Sequence, residues 1–388
     1  MSSSNLVKIS SIEETVYGVT PATGDFKTVR YTSESLSGTP QTAESAEIQS
    51  DRTSGGQVQV GLDVGGDINA ELSSDAALND FIRGAMMQKN WTPAGIISND
   101  VTVDPIGKTF TYPTDSVLAP SVGDLFMVSD ATETKNNGPM YVTAVDTETT
   151  PGTTVLTVAK ETIASESGSM TLTRSDRLSV GTDTVSFSIE KDFTDLTDKA
   201  IAYRGMLVNQ MNLSMTYGSI VESSFMFMGN GYDTPVPKMT SGRNIAPAGT
   251  TQPFNASSDI GLVIVEGEVA DFCIQSLQIS LSNGLTPQTC MGTLAPRQYA
   301  LGMAAITVSG SAYLSNENWD LMAKKLSQTP ISIAFSVEND DGGMAFVIHG
   351  AQLSFPDPSS GGMDQQVSIE FSGAAKAVES GYFDIYKF

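Results

Sequence analysis

Few residues in this sequence of 388 have catalytic potential. His349 is its single histidine, and Cys273 and Cys290 are its two cysteines. A serine relay would have to use His349, and no Gly-x-Ser-x-Gly elbow accompanies it. A thiolate–imidazole pair would need Cys273 or Cys290 beside His349, and nothing in their spacing brings them together. His349 stands in the alternating run before Gly350-Ala351-Gln352-Leu353 and reads as a strand residue; the thiols read as packed or partly exposed. Gly107-Lys108-Thr109 has the ending of a phosphate-binding loop, but Thr102 stands where that loop needs glycine. Multi-histidine and four-cysteine zinc sites are excluded by count, and Asp130–Gly138 lacks the regular spacing of a calcium loop. Carboxylates are plentiful but scattered, and Asp340-Asp341 suits a turn better than an acid/base pair. The expectation is no catalytic residue, no metal ligand and no cofactor.

Charge narrows the partners. Against 21 basic residues stand 44 acidic ones, a net −23. Such a chain is repelled by phosphate backbones and by anionic membrane surfaces. No apolar run approaches the roughly 20 residues of a membrane helix, and Met1-Ser2-Ser3-Ser4-Asn5 has no signal-peptide character. The expected setting is a reducing cytoplasm with free cysteines.

The elements that would position any site are mainly strands. Thr, Ser, Val and Gly abound, and apolar residues alternate with polar ones at period two. Expected strands include Gln57–Leu72, Thr184–Glu190, Leu207–Thr216, Ser219–Met228, Cys273–Leu281, Ile306–Leu314, Ile331–Glu338, Met344–Phe355 and Gln366–Ser372. Asn339-Asp340-Asp341-Gly342-Gly343 predicts a hairpin. Two helices are expected. Ser74–Gln88 carries Ala77, Leu78, Phe81, Ile82 and Ala85 on one face, with Ser74 or Asp75 as cap; Asn316–Leu326 carries Trp319, Met322 and Ala323, with Ser315 or Asn316 as cap.

Both helices follow a strand ending in Leu-Ser, which points to duplication. Four matches recur in order: Ala70-x-Leu72-Ser73-x-Asp75 with Ala312-x-Leu314-Ser315-x-Glu317, Phe187–Glu190 with Phe335–Glu338, Asn212–Met215 with Gln352–Phe355, and Ser224–Gly229 with Ser368–Gly373. Leu72 and Phe187 lie 115 residues apart, Leu314 and Phe335 only 21. The excess has the size of a small domain. The predicted fold is therefore mainly β: two tandem β-sandwich or barrel domains, each with one helix, and a small inserted all-β domain, barrel or sandwich. The boundaries are 1–90 with 177–232 for the first domain, 91–176 for the insert, 233–258 for a linker and 259–388 for the second. Ser2–Ser50 reads as an arm that orders against a neighbour. The aromatic end Tyr382–Phe388 is either a last core strand or a segment that docks on another subunit. A duplicated domain suits either a monomer whose copies pack together or a ring of three chains.

Several segments resemble the tail tube (major tail) proteins of long-tailed, non-contractile bacteriophages. They are Glu14-Thr15-Val16-Tyr17-Gly18-Val19-Thr20-Pro21, Ser45–Arg52, the Gly-rich strand running to Gly66-Asp67-Ile68-x-Ala70-Glu71-Leu72, Phe187–Phe193, and Tyr203-Arg204-Gly205 before Val208-Asn209. The likeness covers most of the chain outside Trp91–Asp176. The length, the duplication and the insert depart from the simplest member and bear on ring stoichiometry. The resemblance implies a non-enzymatic structural virion protein, made and assembled in the host cytoplasm. Its rings, trimers with pseudo-sixfold symmetry or else hexamers, would stack into a tube around a tape-measure protein, between a tail terminator and distal tail or tip proteins, and DNA would pass through without specific binding. The insert would lie on the outer surface. Arg52, Tyr382, Phe383, Tyr386 and Phe388 are the expected inter-subunit contacts. The competing reading is a carbohydrate- or receptor-binding β-module of a tail fibre or cell surface; its mark would be clustered exposed aromatics, and the chain has two tryptophans, Trp91 and Trp319.

Overall fold

Period-two alternation sets the architecture, because each strand must bury one row of side chains. A computed structural model describes residues 3–47, 55–114, 120–149, 152–160, 163–168, 170–358 and 366–388. One large sheet of 19 strands runs through both halves of the chain, and a separate sheet of eight strands lies between Gly95 and Arg174.

The two halves repeat one pairing pattern. In the first, Ser37–Glu44 pairs with Gln57–Glu71, which pairs with Glu222–Gly229, then Ala200–Thr216, Ser186–Phe193 and Val7–Glu13. In the second, Ile274–Ser282 pairs with Ala305–Tyr313, then Ser368–Ala375, Gly342–Ser354, Ile331–Asn339 and Ile260–Val265. Helix α1 (Ala76–Ala85) and helix α2 (Asn316–Ser327) occupy the same slot. The Leu-Ser match falls in register: Leu72 donates its N–H to Val221 O and Leu314 donates to Val367 O, 2.8 and 2.9 Å. Carrying that equivalence across the ladders places Ser372 where Met226 stands and Ser354 where Gln210 stands. The sequence matches at Ser224 and Asn212 are therefore offset, by two and four residues.

α1 buries Ala77, Leu78, Phe81, Ile82 and Ala85, as its periodicity predicts. Phe81 meets Phe187, Phe225 and Phe227 with ring centroids 5.3, 5.6 and 5.0 Å away. Asp75 is the cap: Ala77 N–H donates to its Oδ1 (2.8 Å), and Gly249 N–H donates to its Oδ2 (2.9 Å), tying the 233–258 segment to the helix. At α2, Asn318 reaches back to accept from Ser315 N–H at 2.9 Å. Trp319 is 59% exposed, so α2 shields its sheet less completely. The Asn339–Gly342 hairpin forms with Asp340-Asp341 at its tip.

Three expectations are corrected. Much of the amino-terminal arm is core: Val7–Glu13 and Phe26–Val29 join the sheet with Ile9 and Phe26 fully buried, and buried Ser10, Ser11 and Glu14 misled a reading based on polarity. The insert is not a closed barrel: its edge strands Glu166–Gly168 and Gly95–Ser98 do not pair with each other. Gly95–Ser98 and Val101–Asp104 are strands outside those expected from the sequence.

Candidate assembly surface

The end-to-end junction of the two copies makes an antiparallel block of eight strands. Its order is Ser37–Glu44, Gln57–Glu71, Glu222–Gly229, the second half of Ala200–Thr216, Ile274–Ser282, Ala305–Tyr313, Ser368–Ala375 and the end of Gly342–Ser354. One face buries Val64, Ile68, Phe225, Leu213, Ile279, Val308, Ile369 and Leu353. On the other, hydrogen-bonding registers align a row Glu71, Glu222, Ser214, Gln278, Ser309, Ser372 and Ser354. A second row runs Asn69, Ser224, Asn212, Ser280 and Thr307. No Lys or Arg occurs in any of these strand segments, whereas Asp63, Asp67, Glu71, Glu222 and Glu370 do. The face is acidic, rich in short hydroxyls, and offers phosphate nothing to grip.

The joint between copies is continuous ladder. Gln210 faces Ser282 and Thr216 faces Ser276. Tyr217 N–H donates to Gln275 O (2.9 Å) and Asn283 N–H to Asn209 O (2.8 Å), bracketing the joint. Leu213·Ile279 and Met211·Leu281 therefore exchange backbone bonds, and the outward residues form the close pairs. Gln210 Nε2 donates to Ser280 Oγ across it at 3.0 Å. Among the described residues the block's two outer edges, at Ser37–Glu44 and Gln352–Ser354, carry no strand on their far sides.

Buried carboxylates fasten the layers behind this face. Glu14 accepts from Gly18 N–H (2.7 Å), Ser186 Oγ (2.7 Å), Ser188 Oγ (2.7 Å) and Gly205 N–H (2.9 Å). Gly18 and Gly205 have φ of 73° and 63°, and a Cβ on either would collide with the Asn230 side chain. Arg204 Nε donates to Thr20 Oγ1 at 3.1 Å. Motifs up to 191 residues apart thus close into one knot. Glu190, fully buried, accepts from Met239 N–H and Thr240 Oγ1, both at 2.5 Å.

A second network joins the insert to the second copy. Arg177 donates to Asp124 Oδ1 (2.8 Å) and Asp384 Oδ2 (2.7 Å); His349 Nε2 lies 2.6 Å from Asp384 Oδ2, and Tyr386 donates its O–H to Asp124 Oδ1 (3.0 Å). Burial opposes the Asp384 charge, but the His349 hydrogen bond and the Arg177 charge outweigh it and hold the carboxyl below its usual range. Burial, then the Asp124 and Asp384 charges, push the Tyr386 hydroxyl well above its usual value. Leu125, Tyr141 and Ala159 of the insert pack against Ile264, Ala334, Ala345, Val347 and Tyr386. Nearby, burial raises Glu338 and lowers Lys160, and their mutual attraction opposes both shifts.

The sequence-predicted residues scatter. Arg52 lies outside the described residues. Phe383 and Tyr386 are buried in their own chain, in the strand Phe383–Lys387 that pairs with Asp176–Ser179 and with Met344–Ile348, so these two rings have no surface to offer a neighbour. Tyr382 is partly buried and donates to Ala304 O at 2.9 Å; Phe388 is partly buried against the Ala345 cluster. His349 is buried, while Cys273 and Cys290 are both exposed. Trp91 packs under the Lys387 ammonium, 4.9 Å from its ring centre. Sequence reasoning missed Arg177, Asp124 and Asp384, which lie 53 and 207 residues apart from one another along the chain and carry no local signal. Among the described residues no helix is long and apolar enough to cross a membrane, and no group of three or more His, Cys, Asp or Glu is placed to hold a metal.

Comparison with curated proteins gives no match. A family model described as phage tail tube protein matches residues 4–375, nearly the whole sequence. With the β-rich fold and the converging motifs of the Glu14 knot, the conclusion is that the chain belongs to the phage tail tube protein family.

Proposed function

We propose that three of these chains close into a ring with pseudo-sixfold symmetry, and that stacked rings form a tube through which DNA is ejected. The observation that carries this reading is the eight-stranded block, two like halves joined edge to edge with one face free of Lys and Arg. Eight strands from each of three chains, spaced about 4.8 Å, give a circumference of roughly 115 Å and a backbone diameter of about 37 Å, which strand tilt widens. That bore admits a double helix once side chains are added. Six chains would double the circumference to roughly 230 Å, far more than a duplex needs. The acidic hydroxyl face lines the bore, where repulsion keeps DNA sliding. The insert docks on Ile331–Asn339 and the first half of Gly342–Ser354, outside the block, which suits an outer position.

The partners are other copies of the chain, a tape-measure protein, a tail terminator and distal tail or tip proteins, and the site of action is the virion after assembly in the host cytoplasm. The segment carrying Arg52 is assigned to contacts between rings. Negative-stain microscopy over a range of concentrations tests the reading. End-on averages with six similar lobes, and a mass of three chains per ring, are expected. Rings of six chains would overturn the stoichiometry, and a protein that stays monomeric even with a nucleating tail tip would overturn the assembly. Normal tubes from Arg52→Glu would remove that residue from the stacking contact.

A further inference from the structure

The internal joint predicts what the outer edges do when they meet, given the ring reading above. Ser354 occupies the place of Gln210, and Gln210 faces Ser282. Ser282 faces Ala305, whose counterpart by the Leu72–Leu314 equivalence is Asp63, and Asp63 faces Thr39. Thr39 of one chain therefore belongs opposite Ser354 of the next. The same steps put Pro40 where Asn283 stands, Gly38 where Leu281 stands and Leu36 where Ile279 stands.

The outer edge is poorer in donors than the joint it copies. Asn283 donates its N–H to Asn209 O, and Pro40 has no N–H to give. Ile279 exchanges bonds with Leu213 in the internal joint, but both backbone groups of Leu36 are already held within its own chain. Leu36 N–H donates to Glu34 Oε2 (2.9 Å), a carboxylate also paired with Lys191, and Leu36 O accepts from Tyr203 O–H (2.9 Å). Only Gly38 is left to exchange a full pair. Proline and occupied backbone groups are devices by which sheet edges resist casual pairing.

We propose that the partner of the Ser37–Gln41 edge is the 353–357 edge of a second copy, with Thr39 opposite Ser354, and that this contact is a deliberately weakened copy of the internal joint. Its weakness keeps free chains apart until a ring is nucleated.

Cysteine pairing tests the register. In a Cys273→Ser, Cys290→Ser background, Thr39→Cys with Ser354→Cys forms a close outward pair within disulfide reach. Oxidised rings should run as covalent trimers on non-reducing gels. Ser37→Cys with Ser354→Cys, two residues out of register, should give few. Rings visible by microscopy with no Thr39–Ser354 trimers would overturn the register and leave the ring reading intact; no rings from any form, the wild type included, even with a nucleating tail tip, would overturn both. For the weakened joint, Pro40→Asn and Pro40→Ala each restore a donor on an exposed strand. Each should lower the concentration needed for tubes about fivefold, the factor of one net backbone hydrogen bond. An unchanged threshold in both variants, with unchanged circular dichroism, would overturn that part.

Discussion

Asp384→Asn isolates the charge that clamps the insert to the second copy. The carboxylate is 3% exposed and takes bonds from His349 and Arg177 at 2.6 and 2.7 Å. Breaking a buried ion pair by removing one partner costs about 3–5 kcal/mol. Arg177 keeps Asp124 at 2.8 Å and has 27% of its side chain in water, so the lower end applies, about 3 kcal/mol. The three β units need not unfold together, so the relevant transition is the one reported by Trp91, which packs beside Lys387 at this junction. Urea unfolding followed by its fluorescence, in a Trp319→Phe background, should shift by that amount at pH 7. Acid supplies an independent sign. The Asp384 carboxyl titrates lower in the folded chain than in the unfolded chain, where it titrates near 3.9. Its contribution is therefore complete above about pH 4 and is lost as pH falls through the lower folded value. The variant should lack that share of the acid loss. A shift under about 0.5 kcal/mol with an unchanged acid profile would refute the clamp.

Phe81→Ala should cost about 3–5 kcal/mol, because the ring is fully buried among three phenylalanines, whereas Leu321→Ala under the less covered α2 should cost less than half as much; urea midpoints compare the two. Ser309→Lys puts a cation in the middle of the polar face. Tubes of this variant should retain duplex DNA in co-sedimentation and release it between about 50 and 200 mM salt, whereas wild-type tubes retain none; equal behaviour would count against that face lining the passage.

The misaligned repeat matches share one form. A period-two pattern is blind to a slip of two residues, since every side chain keeps its face. The matches at Ser224 and Asn212 are offset by two and four, both even, while the Leu-Ser match is anchored by a helix start and falls in register. α1 was legible because five apolar residues share one face. The amino-terminal strand was not, because Ser10 and Ser11 are buried within it, and Glu14, the residue after it, finds its partners at residues 186–205, which local pattern cannot reveal. Arg177 and Asp384 were invisible for the same reason. The Glu14 knot was half legible: its pieces were singled out, but only the fold explains why a glycine stands at 18 and another at 205.

Duplication in one chain permits what identical subunits cannot. In a ring of six equal domains every joint has the same strength, so a joint tight enough to last is also tight enough to form early. Here the two copies have diverged where their neighbours differ. Around Leu207 the first copy is covered by Leu285 and Tyr299 from the loop after Ile274–Ser282, and Tyr299 donates to Gly229 O at 2.8 Å. The second copy's Ala345 and Val347 are covered instead by the insert. The loop that crosses the internal joint adds Asn283, whose side chain donates to Ala85 O and Val208 O at 2.9 and 3.0 Å. Pro40, at the matching place on the outer edge, can make neither contact. Under the proposed ring, half of the joints are thus fixed when the chain folds and half await a neighbour. Assembly then has three reversible steps per ring rather than six, and a nucleating surface needs to hold three chains in place rather than six.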